Sequence, residues 1–422
     1  MGRMTKTTGT LLFGLLAFVL GGAAGAIVWL LLQLMEWGIA GLWEHLPAAL
    51  GCEGSLVYGL VVCGLGGVVI GLWQKKFGTL PDDMEQVMEK VKETGGYPYD
   101  RLPVIAVAAL LPLIFGGALG PEAGLTGVIA GLCTLIGDRL KYRGDRAAAL
   151  AETGAAVSLG VIFGAPLFGI VDNLEPDGPK EHYRKKLLGK KGRIFIYILG
   201  VAGGMLALYG LTRAFGGGSG LPRFARAHAI GPEQWKWIIP LIAAGMAAGG
   251  LYLLFQRAMK ALGERGRQRP VLCCLLAGLV LALVAHVLPL AQFSGESQMG
   301  ELMGSWTAYP LAVLLGSGIA KLAMTSLCFH LGWRGGSIFP VIFSGVAIGY
   351  AFAGAVGMDG SYAVAIVTAA LCSLVMGKPL TAVAVLLLCF PVTYLPAMVI
   401  AAFAASLVVN GIKKRRQRLA EG

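Results

Sequence analysis

Charge is scarce in this chain. Asp, Glu, Lys and Arg make up 14% of its 422 residues, against about 25% in an ordinary soluble domain. With 56% of the residues hydrophobic, that shortage excludes both a soluble globular protein and a disordered one. Histidine is scarce as well. His45, His182, His228, His286 and His330 are dispersed, and no pair has a metal-ligand spacing. A metal-dependent intramembrane enzyme is therefore not expected, nor any metal or other cofactor. There is no Cys-x-x-Cys pair. The eight cysteines lie mostly inside apolar segments, with Cys273 and Cys274 adjacent, and read as small buried hydrophobes rather than a disulfide framework. Long polar stretches are missing too, the longest being 75–101 and 174–193. One membrane domain over 1–422 is expected, with no soluble module attached.

What is present is a series of apolar runs of membrane-spanning length, about 20 residues each, at 9–35, 55–74, 102–119, 191–214, 233–257, 269–290, 308–328 and 391–412. Shorter pieces broken by Gly and Pro lie at 122–137, 147–172, 337–356 and 361–389. Such pieces are expected to be re-entrant or discontinuous helices. Glycine accounts for 64 residues, about double its usual ~7%, as close helix packing in lipid requires. The net charge of +12 does not indicate nucleic acid, because the basic residues cluster in short loops at 75–101, 138–146, 180–193, 256–269 and 413–418. That is the positive-inside pattern of cytoplasmic loops. The stretch 36–54 has no Lys or Arg and is expected outside. The N-terminus is then cytoplasmic, and the first apolar run is read as an uncleaved span rather than a signal peptide.

Two stretches repeat. Residues 116–121 read GGALGP and residues 335–340 read GGSIFP, and an apolar helix with spaced glycines follows each. Farther on, Gly164-Ala-Pro-Leu167 answers to Gly377-Lys-Pro-Leu380, preceded by AAVSL and AALCSL respectively. Two matches in the same order argue for an internal duplication, with repeat cores over 55–175 and 269–412. The helix after GGALGP leads to the basic DRLKYRGDR, and the helix after GGSIFP leads to GAVGMDGSY, which has no Lys or Arg. The two helices therefore run in opposite directions through the membrane.

A helix N-terminus carries unpaired N–H groups and roughly half a positive charge. Two such ends converging at mid-membrane form an anion site without fixed basic side chains. Partial charges of this kind bind an anion and still release it. Glu122 follows Pro121 at the start of one of these helices. There its carboxylate is expected either to occupy the place of a permeating anion, blocking the site when ionised and opening the path when protonated or displaced, or merely to cap its helix near an aqueous surface. An ionisable residue within a membrane segment is a functional candidate by default.

These residues resemble the CLC family of chloride channels and proton-coupled chloride antiporters. GALGPEAGL at 117–125 is similar to the motif that opens one pore helix in that family, and GGSIFP at 335–340 to the motif that opens another. TGAAVSLGVIFGAPLFGI (153–170), GKPL (377–380) and YLPAMVI (394–400) resemble the family's later segments, in order over roughly 75–410. The resemblance implies an all-α polytopic fold, a CLC-like inverted repeat of tilted and discontinuous helices, and a homodimer in a bacterial inner membrane. It implies transport of chloride or a similar small anion, with or without protons, as channel or exchanger. Glu122 matches the gating glutamate. Ile338 and Phe339 match the residues whose amides hold the central anion, with Gly120 beside them. GTLPDDME (78–85) takes the place of the segment whose serine touches the anion, and that serine position falls at Gly78.

The departures bear on mechanism. With Gly78 the serine hydroxyl is missing, so the anion preferred is open. Alignment to the family's inner proton-transfer glutamate falls at Pro176, one past Glu175, which is the candidate for a proton path; Asp172 lies nearby. No match to a pore tyrosine appears beyond the last helix, and Tyr394 lies too early. Lys321 sits inside the apolar run 308–328, where it snorkels, pairs with an acid or adds positive potential to the anion route. The competing readings are another secondary transporter, a non-transporting membrane protein and an intramembrane enzyme. The enzyme would need a nucleophile or metal cluster, and none is visible.

Overall fold

A computed structural model describes residues 6–94, 96–139, 190–217, 222–224, 231–387 and 389–421. Among them the regular structure is helical. In chain order come α1 (Lys6–Ala40), a π-helical turn (Gly41–His45), α2 (Leu46–Leu50), α3 (Leu56–Phe77), α4 (Met84–Thr94), α5 (Leu102–Ile114) and α6 (Glu122–Arg139). There follow α7 (Lys190–Phe215), α8 (Pro232–Trp235), α9 (Ile238–Gly266), α10 (Pro270–Val287), α11 (Glu296–Ser305) and α12 (Leu311–His330). The last four are α13 (Ile338–Val356), α14 (Gly360–Met376), α15 (Pro379–Leu386) and α16 (Leu395–Glu421). Seven helical stretches among the described residues are long and apolar enough to cross a bilayer.

Helix pairing follows the small residues. α1 packs along α7, α3 along α10, and α13 along both α12 and α14. Where α1 crosses α7, a methyl group on Gly21 or Gly25 would strike the backbone of Gly200 and Gly204. Each helix thus offers a small-xxx-small step to the other, which lets the two backbones touch. The deepest core lies in the second half of the chain. α13 and α14 are buried almost all round, including Phe339, Phe343, Val346, Tyr362, Val364 and Ile366. A helix apolar on every face belongs there, enclosed by other helices.

Two expectations about spans need correction. The run 102–119 does not cross as one helix. α5 ends at Ile114, after Pro112, and the chain turns at Gly116, whose φ of 91° suits a residue without Cβ. The remaining residues, 117–121, form an irregular connection instead, with Leu119 N bonded to Gly117 O at 2.8 Å. Conversely, the short piece 337–356 contains a 19-residue helix, α13, of spanning length. The first repeat's later motif, 153–170, together with Asp172 and Glu175, lies outside the described residues, so Glu175 receives no structural account.

Candidate anion site

The connection 117–121 meets the segment that leads into α13. Gly120 and Gly336 exchange both backbone hydrogen bonds, 2.8 Å from Gly120 N to Gly336 O and 2.7 Å from Gly336 N to Gly120 O, as an antiparallel bridge. Pro121 and Pro340 are thereby tied close together, and α6 and α13 both begin at this bridge. Ala118 O accepts from the Thr325 hydroxyl at 2.8 Å, which anchors the connection to α12.

Glu122 sits at the junction and is 1% exposed. Its Oε1 accepts from Ile338 N at 2.7 Å, and the amides of Phe339 and of Glu122 itself also serve the carboxylate. Pro340 has no N–H, and Val341 N already bonds Ser337 O at 3.1 Å. The first turn of α13 thus has two amides to offer, those of Ile338 and Phe339, and both meet the carboxylate. Ser337 precedes the helix without a side-chain cap bond. Glu122 Oε2 is buried and has no hydrogen-bond partner among the described residues. A buried acceptor left unpaired costs stability.

Glycine shapes the cradle. A Cβ added to Gly120 or to Gly336 would fall on the Glu122 carboxylate, so neither position tolerates a side chain while Glu122 is seated. Gly120 and Gly336 form walls, and their amides are committed to each other. Gly78 ends α3, and its N–H is committed to Gln74 O at 2.8 Å. It offers neither a hydroxyl nor a free amide, and the space beside its Cα is open to at least 4 Å. Pro81 approaches α6 at Gly124, 3.8 Å from where a Cβ would stand.

Lys321 is fully buried. Its Nζ donates to Gln292 O at 2.5 Å and Phe293 O at 3.0 Å and stands 4.5 Å from the centre of the Phe343 ring. No carboxylate lies within ion-pair distance among the described residues, so backbone carbonyls and a π-face take the place of an acid. Tyr394 is buried and donates to Asp359 at 3.0 Å, a bond that ties α14 to the start of α16.

Two features escaped the sequence reading. Glu296, at the start of α11, is buried and in electrostatic reach of Glu36 and Glu122. It lies in the polar connection SGESQMGE, which looks solvated in sequence. On α9, the Tyr252 hydroxyl lies beside Ser337 and in electrostatic reach of Glu122. Its sequence signal was a polar pair, Tyr252 and Gln256, one helical turn apart inside an apolar run.

Comparisons with known proteins agree with this geometry. The profile of the voltage gated chloride channel family matches residues 66–410. YfeO of Escherichia fergusonii, provisionally named an ion-transport protein, is 26% identical over 354 residues, covering 80% of this chain and 78% of the relative. YfeO of Shigella sonnei, named likewise, is 27% identical over the same shares. A solved slow cyanobacterial Cl⁻/H⁺ antiporter superposes with a TM-score of 0.80 at 17% identity, covering 96% of this chain and 94% of that one. A CLC-type fluoride/proton antiporter gives 0.75 at 19% identity, with 96% and 97% covered. The paired helix N-termini, the helical membrane fold and the profile match over most of the chain lead to one conclusion: this protein belongs to the voltage gated chloride channel family.

Proposed function

We propose that the chain moves a small anion, chloride by default, through a central site made by the α6 and α13 N-termini, with Glu122 as its gate. The observation that carries this reading is the 2.7 Å bond from Ile338 N to Glu122 Oε1. The carboxylate is a tethered anion on the amides of Ile338 and Phe339, where a free anion would sit. When Glu122 ionises it competes with the transported ion; when it takes up a proton, or swings away, the amides are free. A proton on Glu122 thus favours anion entry, and this exchange is the elementary step of coupling. Gly120 and Gly336 shape the seat, and Gly78, exposed at the end of α3, supplies no ligand. Glu175 is carried as a proton-path residue on the family resemblance alone.

The same resemblance supports a homodimer, a bacterial inner membrane and a cytoplasmic N-terminus, the last also favoured by the basic loops. It also favours transport over enzymatic chemistry. The test is flux. Liposomes loaded with chloride and carrying the protein should release it when valinomycin provides a potassium path. Glu122→Gln and Glu122→Ala should change the rate and flatten its pH dependence. Identical pH-dependent flux in all three proteins would remove Glu122 from the gate. Proton uptake driven by a chloride gradient identifies an exchanger, and its absence a channel.

A further inference from the structure

From the central site a hydrogen-bonded row leads along α9 to the end of α12. Tyr252, 3% exposed, places its hydroxyl beside Ser337, the residue before the Ile338 amide. Gln256 Nε2 donates to that hydroxyl at 2.5 Å. Gln256 Oε1 in turn meets His330 Nε2. His330 is half-buried, at the edge formed by Lys260 and Glu264 of α9 and by Arg334 of the 331–337 connection, with Phe329 edge-on to its ring. Lys260 and Glu264 belong to the basic stretch 256–269, most of which continues α9. The row thus joins a half-buried imidazole to a hydroxyl beside Ser337.

The three side chains differ in what they can exchange. A tyrosine hydroxyl has one proton to give, an amide has a fixed donor end and a fixed acceptor end, and an imidazole changes character with protonation. As the row stands, His330 donates to Gln256 Oε1 and Gln256 donates to Tyr252. Tyr252 must then give its own proton away from Gln256, toward Ser337 and the anion site. If the amide turns over, every bond reverses: Tyr252 donates to Gln256, Gln256 donates to His330, and the hydroxyl shows the site only lone pairs. The reversed row requires a bare nitrogen on His330. Imidazolium has none, so it permits only the first polarity.

We propose that His330, acting through Gln256, sets the direction of the Tyr252 hydroxyl, so that protonation of His330 makes Tyr252 a hydrogen-bond donor to the transported anion. Tyr252 is then a side-chain ligand to the anion, and His330 is a positioning residue. Linkage follows: anion binding and proton binding at His330 favour each other. No covalent step is involved, and the proton at His330 comes from bulk water. The inference rests on the anion site proposed above.

The test removes the gate's own titration first. In full-length Glu122→Gln protein in detergent, chloride is titrated calorimetrically at about pH 4.5 and 8.0, well below and well above the usual imidazole value of about 6.5. Affinity is expected to be about tenfold higher at the lower pH, the weight of one hydrogen bond to a charged group. Adding Tyr252→Phe, which keeps the shape, should lower the affinity and abolish the difference. Adding His330→Ala should abolish the difference, and His330→Arg, a permanent donor, should give the tighter value at both pH values. If the difference survives Tyr252→Phe, it comes from charge at His330 or at the buried Glu296 near the site, and the oriented hydroxyl is wrong. A pH-independent affinity in Glu122→Gln itself overturns the inference but leaves the anion site standing. No chloride binding at either pH overturns both.

Discussion

At the scale of single residues, the site depends on atoms that are absent. Gly120 and Gly336 leave room for a carboxylate. Gly336→Ala would put a methyl group where the Glu122 carboxylate rests. The expected result is a protein that still folds but whose chloride efflux loses its pH dependence as Glu122→Ala does. Unchanged pH dependence would place the resting carboxylate elsewhere. Glu296 makes a separate prediction. Burial, with the Glu36 and Glu122 carboxylates adding to it, pushes this group from an ordinary 4.5 up to about 8. Between those values the folded chain holds a proton that the unfolded chain releases, so stability falls as pH rises through that window. The thermal midpoint in detergent should drop from pH 5 to pH 8.5, and Glu296→Gln should flatten the slope. Lys321 is structural by its partners. Lys321→Met removes hydrogen bonds to two carbonyls, each worth about 1.5–3 kcal/mol at most when the donor is charged. It should lower the midpoint while leaving anion selectivity unchanged.

At the scale of elements, the legible parts of the sequence were those with a strong local cause. The positions of α1, α3, α7, α9, α10 and α12 could be read from apolar runs, because length in hydrocarbon is a simple requirement. The starts of α6 and α13 could be read from Gly-Gly and Pro, since few residues let a helix begin abruptly inside a protein. The run 102–119 misled because hydropathy does not register a turn. Pro112 and Gly116 end α5 early, and the rest of the run is needed for the bridge to Gly336, a partner more than 200 positions away. Tyr252 and Gln256 were equally hard to assign. Their spacing marks a polar stripe on α9, but nothing in α9 says which helix end it faces. Small-residue crossings are a testable element feature. Gly25→Val or Gly204→Val should separate α1 from α7 and cost about 1–3 kcal/mol by overpacking, read as a lower thermal midpoint with the chloride site intact.

At the scale of the whole molecule, the repeat has a purpose that neither half serves alone. Each half supplies one helix whose N-terminus stops inside the protein, and a two-residue backbone bridge joins the two ends. A single end would give about half a charge; two ends meet one carboxylate, with no lysine or arginine in contact among the described residues. The deep core around α13 and α14 keeps that end rigid, while half-buried Ser337 and Ile338 leave it reachable from one side. The most direct measurement is where an anion binds. In crystals of Glu122→Gln grown with bromide, anomalous scattering should show an ion in hydrogen-bonding contact with the amides of Ile338 and Phe339. Bromide bound elsewhere in the membrane domain, with those two amides still occupied by the side chain at 122, would contradict the account.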